Sequence, residues 1–121
     1  MKTNLKEKFD KIKDHWHPYI IGDLNDNYVK LAKLQGDFVW HQHDLEDELF
    51  VVISGTLMMD FNDGTTVETR AGEVILVPKG VQHKPWTREG EEACVMLVEP
   101  KSTKHTGEVK SAQTVENLTW I

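Results

Sequence analysis

The chain holds one cysteine, Cys94, in 121 residues. No disulfide can form within it, so the expected compartment is a reducing cytoplasm. Cys94 lies in an apolar stretch, where a thiol acts as a small packing residue more often than as a nucleophile. Basic clusters are also lacking. Fourteen Lys and Arg against twenty Asp and Glu give a formal charge of −6, which argues against a nucleic-acid partner, since such a partner would want a basic stripe. No apolar run approaches the length that spans a bilayer. At the start, Lys2, Lys6, Glu7 and Lys8 interrupt any secretory apolar segment, so none is expected there. At this length the chain is expected to form one domain with a real core.

What the chain does have is concentrated between Trp40 and Gly55, reading WHQHDLEDELFVVISG. His41 and His43 are two apart, so in a strand both imidazoles share a face. Glu48 opens a second apolar run after the acidic break at Asp44 to Asp47. A hairpin across that break would return Glu48 to the side of the histidines. Two imidazoles and a carboxylate converging from paired strands suit a borderline divalent transition metal. A lone His-x-His pair is also common without metal, and a run of acids also serves as a solvated turn.

A second segment, Gly72 to His83, reads GEVILVPKGVQH. It offers a strand, a Pro-x-Gly turn and another histidine. The two segments together resemble the paired motifs of the cupin superfamily. Gly36, His41, His43, Glu48 and Gly55 fall on the first motif, and Gly72, Pro78, Gly80 and His83 on the second. Gly36 stands one residue closer to His41 than the usual pattern, and Thr87 stands where the second motif ends in asparagine. The resemblance implies an all-β, cupin-type jelly-roll barrel in which His41, His43, Glu48 and His83 bind one divalent metal. Three imidazoles and a carboxylate would leave two octahedral positions open. Iron, manganese, nickel, zinc and copper are not distinguished by such a set. Among small single-domain cupins, which this chain resembles, some carry names borrowed from sugar-phosphate isomerases. No basic phosphate-binding cluster accompanies the motifs here, so that activity is not the expected one.

Asn4 and Glu7 have the spacing of a capping box, and Leu5, Phe9 and Ile12 recur at helical spacing. A short helix from about Leu5 to Lys13 follows, covering one end of the core. The chain divides into a lead-in (1–28), a barrel (29–100) and a tail (101–121) expected to dock through Val115, Leu118, Trp120 and Ile121. His15-Trp16-His17 is a second His-x-His, but Pro18 disrupts pairing there. Trp16 and His17 are expected to pack on the barrel rim. About eight short strands separated by turns, among them Asn62-Asp63-Gly64, point independently to a barrel or jelly roll.

Strand parity with the histidines inward places Val39, Phe50 and Val52 inside. Trp86 and Met96 join them as expected pocket-lining residues. The same parity sends Phe38 and Trp40 outward, along with Leu49, Val51 and Ile53. Both faces of that strand are therefore apolar, and a second layer or a partner subunit must cover the outer one. Since cupins commonly dimerise through such a surface, a homodimer is expected. Glu46 and Asp47 read as solvated turn acids and His105 as a surface residue. No second carboxylate or lysine is placed inward as a general base. The expected function is a metal-dependent enzyme (oxygenase, isomerase or lyase) acting on a small polar organic molecule. The alternative is a non-catalytic barrel that binds or senses a small ligand.

Overall fold

The computed structural model describes every residue except Glu116, which falls within the tail expected to dock. Among the described residues, one helix, α1 (Leu5–Asp10), precedes nine strands. These are β1 (Tyr19–Leu24), β2 (Asn27–Gln35), β3 (Glu48–Ser54), β4 (Thr56–Phe61) and β5 (Thr66–Arg70). They continue with β6 (Val74–Val77), β7 (His83–Trp86), β8 (Glu92–Pro100) and β9 (Thr119–Trp120). A six-stranded sheet in the order β6-β3-β8-β2-β1-β9 faces a three-stranded sheet in the order β5-β4-β7. The result is the all-β jelly-roll barrel, with a short N-terminal helix. No helix among the described residues is long and apolar enough to cross a membrane.

The core sits between the sheets because the strands alternate. On β3, Glu48, Phe50 and Val52 are buried while Leu49, Val51 and Ile53 are half-buried. On β8, Ala93, Val95, Leu97 and Glu99 point in, and Cys94, Met96 and Val98 point out. Inward residues of both sheets, among them Phe50, Val52, Leu57, Met59, Val77 and Val95, form the main cluster. Strands β1 and β9 go beyond the sequence expectation, and β1 is the longer. It pairs with β2 across a tight turn, Leu24 opposite Asn27, with Asn25 at φ 52°. Asparagine tolerates this left-handed conformation better than most residues.

Helix α1 is shorter than its periodicity suggests, ending at Asp10, although the Asn4 side chain accepts from the Glu7 amide as a cap. It does not close an end of the barrel. Phe9 and Ile12 instead pack with Leu31 on the outer face of the six-stranded sheet, with Ile53, Cys94 and Met96 around them. Part of the second apolar face is thus covered by the chain itself. Ile121 joins the same cluster, and its carbonyl accepts from Lys8 Nζ at 2.7 Å. Beyond the helix, Val74 and Leu76 on edge strand β6 remain exposed next to β3.

Gly55, between β3 and β4, has φ 76°, and a Cβ placed there would collide with the Glu92 carbonyl oxygen. Any side chain must therefore shift β8 as well as adopt a left-handed backbone. Gly55→Ala should destabilise the protein by about 2 kcal/mol or more in urea melts. Gly22→Ala, at a site with no atom within 4 Å of the added Cβ, should stay within about 1 kcal/mol of the parent.

Candidate metal centre and its cavity

His41, His43, Glu48 and His83 are all buried, and one nitrogen or oxygen from each lies within 4.8 Å of the others. The route that brings them together differs from a hairpin across Asp44 to Asp47. Glu48 opens β3 in the six-stranded sheet, paired with Val77 of β6. His41 instead bridges to His83 beside the three-stranded sheet, through reciprocal backbone hydrogen bonds of 2.9 Å. The four side chains therefore meet across the barrel from opposite walls. The Pro78–Gly80 turn is held in place by two bonds. Gly80 N donates to the His43 carbonyl at 2.7 Å, and Lys79 N donates to Asp47 Oδ1 at 2.9 Å. Asp47 thus pins that turn rather than sitting free in solvent.

The tautomers suit a cation. Nδ1 of His41 donates to the Val39 carbonyl and Nδ1 of His83 to the Val81 carbonyl, each at 2.9 Å. Each Nε2 is then left with a lone pair, and such a second hydrogen bond is what fixes a metal-binding imidazole. Nε2 of His43 and Nε2 of His83 stand 3.5 and 3.6 Å from Glu48 Oε1, too far for good hydrogen bonds. Both nitrogens of His43, Nε2 of His83 and Oε1 of Glu48 are buried with no partner. Ligands held about 2 Å from one centre are spaced by roughly 3 to 3.5 Å, so this donor set fits a transition metal. Burial first, and then the neighbouring His83, bring His41 down from 6.5 to about 4. Its ring is therefore neutral at pH 7.

A buried Lys30–Glu99 pair, which the sequence reading did not place, backs the centre. Lys30 Nζ donates to Glu99 Oε1 at 2.8 Å, with both side chains fully excluded from solvent. Burial and then the charge of Glu48 push Glu99 well up, against the opposing pull of Lys30. Burial alone would raise Glu48 too, but its interactions with Glu99, His43 and His83 outweigh it and hold Glu48 well down. The proton of the pair accordingly rests on Glu99, leaving Glu48 as the carboxylate that a cation requires. The signal was present in β8, where Glu99 continues the inward parity of Ala93, Val95 and Leu97.

A cavity of about 30 Å³ lies beside His41 and Glu48; one water takes roughly 10–15 Å³ on the same scale. Several expected linings need correction. Phe50 lines the cavity, whereas Val52 is buried deeper in the core. Phe38 points in rather than out, stacked on Trp16 at 4.6 Å and edge-on to His41. Val39 only packs partly against the core. Parity fails here because residues 38–40 form no strand: the pairing with β7 exists only as bridges at Asp37 and His41. Trp86 faces away and donates to Asp60 Oδ1 at 2.8 Å, while its neighbour Pro85 lines the cavity. Met96 is on the outer face beneath α1, and Val95 and Leu97 take the inward positions.

His105, read as a surface residue, also lines the cavity, 5.7 Å from Phe38. No periodic signal marks it, because it arrives on irregular chain. His17 stacks on Tyr19 and bonds Asp14 instead of approaching the centre. The two departures from the motif pattern meet each other. Gly36 N donates to Thr87 Oγ1 at 2.8 Å, and Thr87 N donates to the Gly36 carbonyl at 3.0 Å.

The depressed His41 gives a pH test in metal-free protein. The unfolded chain binds a proton near 6.5 while the folded ring resists it until about 4. Stability should therefore fall as pH drops from 6.5 towards 4, with His41 supplying about 3 kcal/mol of the fall. Urea melts across that range should show a shallower loss in His41→Gln than in the parent.

With the geometry in place, residues 27–100 match the family described as Cupin domain. YdbB, an uncharacterized protein of Bacillus subtilis (strain 168), is 35% identical over 101 residues, 84% of this chain and 88% of that protein. A cupin-2 domain containing protein from Shewanella frigidimarina superimposes with a TM-score of 0.78 at 42% identity, covering 82% of this chain and 94% of its own. Protein NMB1881 from Neisseria meningitidis gives 0.75 at 34% identity, over 84% and 100% of the respective chains. The histidine-bearing turns, the barrel and these relatives agree, and the chain belongs to the cupin family.

Proposed function

We propose that this protein is a metal-dependent enzyme acting on a small organic molecule, with one divalent transition metal held by His41, His43, Glu48 and His83. The observation that carries the reading is the set of buried, unpartnered donor atoms converging from both sheets. Leaving several buried polar atoms unmet costs about 1–3 kcal/mol each, a cost that a shared cation relieves. A metal bound there would polarise a substrate oxygen or activate water or dioxygen.

The chain's own residues have separable roles. His41 and His83 are oriented by the Val39 and Val81 carbonyls. Glu99, bonded to Lys30, keeps the proton that leaves Glu48 ionised inside the barrel. Phe38, Phe50 and Trp16 give the cavity an apolar lining and leave space for only a few substrate atoms at a time. This apolar lining favours a compact substrate with one or two polar groups over a sugar phosphate. The lone Cys94 and the absence of an in-chain disulfide support work in a reducing cytoplasm.

Elemental analysis of untagged protein should find one transition metal per chain. His43→Ala and His83→Ala should each weaken its retention by more than about 100-fold, since even outer-shell partners are worth 10–100-fold. A parent that takes up no metal on reconstitution would instead favour a barrel that binds its ligand without one.

The outer apolar face supports a homodimer. Val74 and Leu76 are more than half exposed and adjoin Leu49 and Val51 of β3, forming a patch that a second copy of the chain would cover. Light scattering at micromolar concentration should return twice the 13.9 kDa chain mass, and Leu76→Glu should return monomer.

A further inference from the structure

The cavity wall leaves one polar group unassigned. Among its described lining residues, His41 and Glu48 belong to the proposed ligand set, and Trp16 Nε1 is already bonded to the Gln35 carbonyl at 2.8 Å. The aliphatic, proline and phenylalanine walls offer no hydrogen-bonding side chain. His105 alone remains.

Its ring is held by built contacts. Nε2 donates to the Gln113 carbonyl at 2.6 Å, which fixes the tautomer and leaves Nδ1 as a bare acceptor. No group among the described residues bonds that Nδ1. Burial lowers the ring's tendency to protonate, outweighing that carbonyl contact. The segment carrying His105 is pinned on both sides of the ring. Ser102 Oγ donates to Glu46 Oε2 at 2.9 Å and Gln113 Nε2 to the Asp37 carbonyl at 3.1 Å. Between them Gly107, at φ 60°, packs so closely on the Gln42 carbonyl that a Cβ has no room. This anchors the segment to the very stretch that carries His41 and His43.

We propose that His105 is a specificity-determining residue whose Nδ1 accepts a hydrogen bond from a hydroxyl group of a small hydroxylated substrate, such as a short hydroxy acid, in this cavity. The proposal rests on the metal-site reading above for the substrate's other anchor. An acceptor on a half-buried ring in an otherwise apolar lining selects for a donor, because a ligand without one covers that nitrogen and leaves it unmet.

The test uses Co²⁺-loaded protein, with visible absorption reporting the binding of glycolate and of acetate, which lacks the hydroxyl. His105→Phe keeps the ring's bulk and removes the acceptor. The ratio of glycolate to acetate affinity should fall about tenfold in that variant, the worth of one hydrogen bond. Acetate affinity and cobalt content should hold. An unchanged ratio overturns the proposal. Failure of the parent to take up cobalt defeats the metal reading separately. Long-range ¹H–¹⁵N spectra of metal-free parent protein then decide for His105, as they do if His105→Phe fails to fold. A bare Nδ1 whose resonance moves on adding glycolate, but not acetate, supports the proposal. A protonated or unresponsive Nδ1 overturns it.

Discussion

The structure depends on bringing buried donor atoms together without partners of their own. In a barrel of this size the interior is packed, and each unmet polar atom there is costly. His43, His83 and Glu48 nevertheless present such atoms to one point. Much of the surrounding architecture can be read as support for that arrangement. The His41–His83 backbone bridge sets two imidazoles side by side. The Val39 and Val81 carbonyls turn their free nitrogens inward, and the Pro78–Gly80 turn is tied to both His43 and Asp47.

Charge inside the barrel is managed by a second layer. Glu48 cannot remain a carboxylate next to Glu99 unless one of them keeps a proton or a cation stands nearby. Lys30 supplies positive charge at Glu99, and the pair leaves the ionised oxygen on the side facing the histidines. A lysine with no solvent exposure is uncommon unless paired. Its partner here is the residue whose proton leaves Glu48 ionised, which joins the core of β2 and β8 to the chemistry of β3.

The C-terminal segment adds what the two motifs do not. It lies outside residues 27–100, which match the family, yet it is tied to the motif-bearing chain at Glu46, Asp37 and Gln42. It contributes a wall to the cavity through His105, against Phe38 and Trp16. Trp16 comes in turn from the opposite end of the sequence, through a backbone at φ 60°. The two ends of the chain therefore finish a pocket whose centre is built by the middle.

The set His41, His43, Glu48 and His83 was legible through its resemblance to the cupin motifs. Strand alternation made the barrel legible, along with the inward faces of β3. These features follow from period-two geometry and from turn residues that allow few conformations. The same rule failed at Phe38 and Val39, where two isolated bridges replace a ladder and the alternation lapses. Counted from an inward His83, the rule itself puts Pro85 in and Trp86 out; it could not say that Met96 lies on an outward parity, because that depends on the register of β8 against its neighbours. Glu99 obeyed the rule but was hidden by chemistry, since a carboxylate looks like a surface residue until Lys30 is found across the strand pair. His105 carried no signal at all. By itself the sequence determined which residues could alternate, turn and ligate, because those are local properties of side chain and backbone. Only the tertiary structure decided which of them meet, because packing opposite sheets and the chain's two ends around one cavity is a long-range outcome that no local pattern encodes.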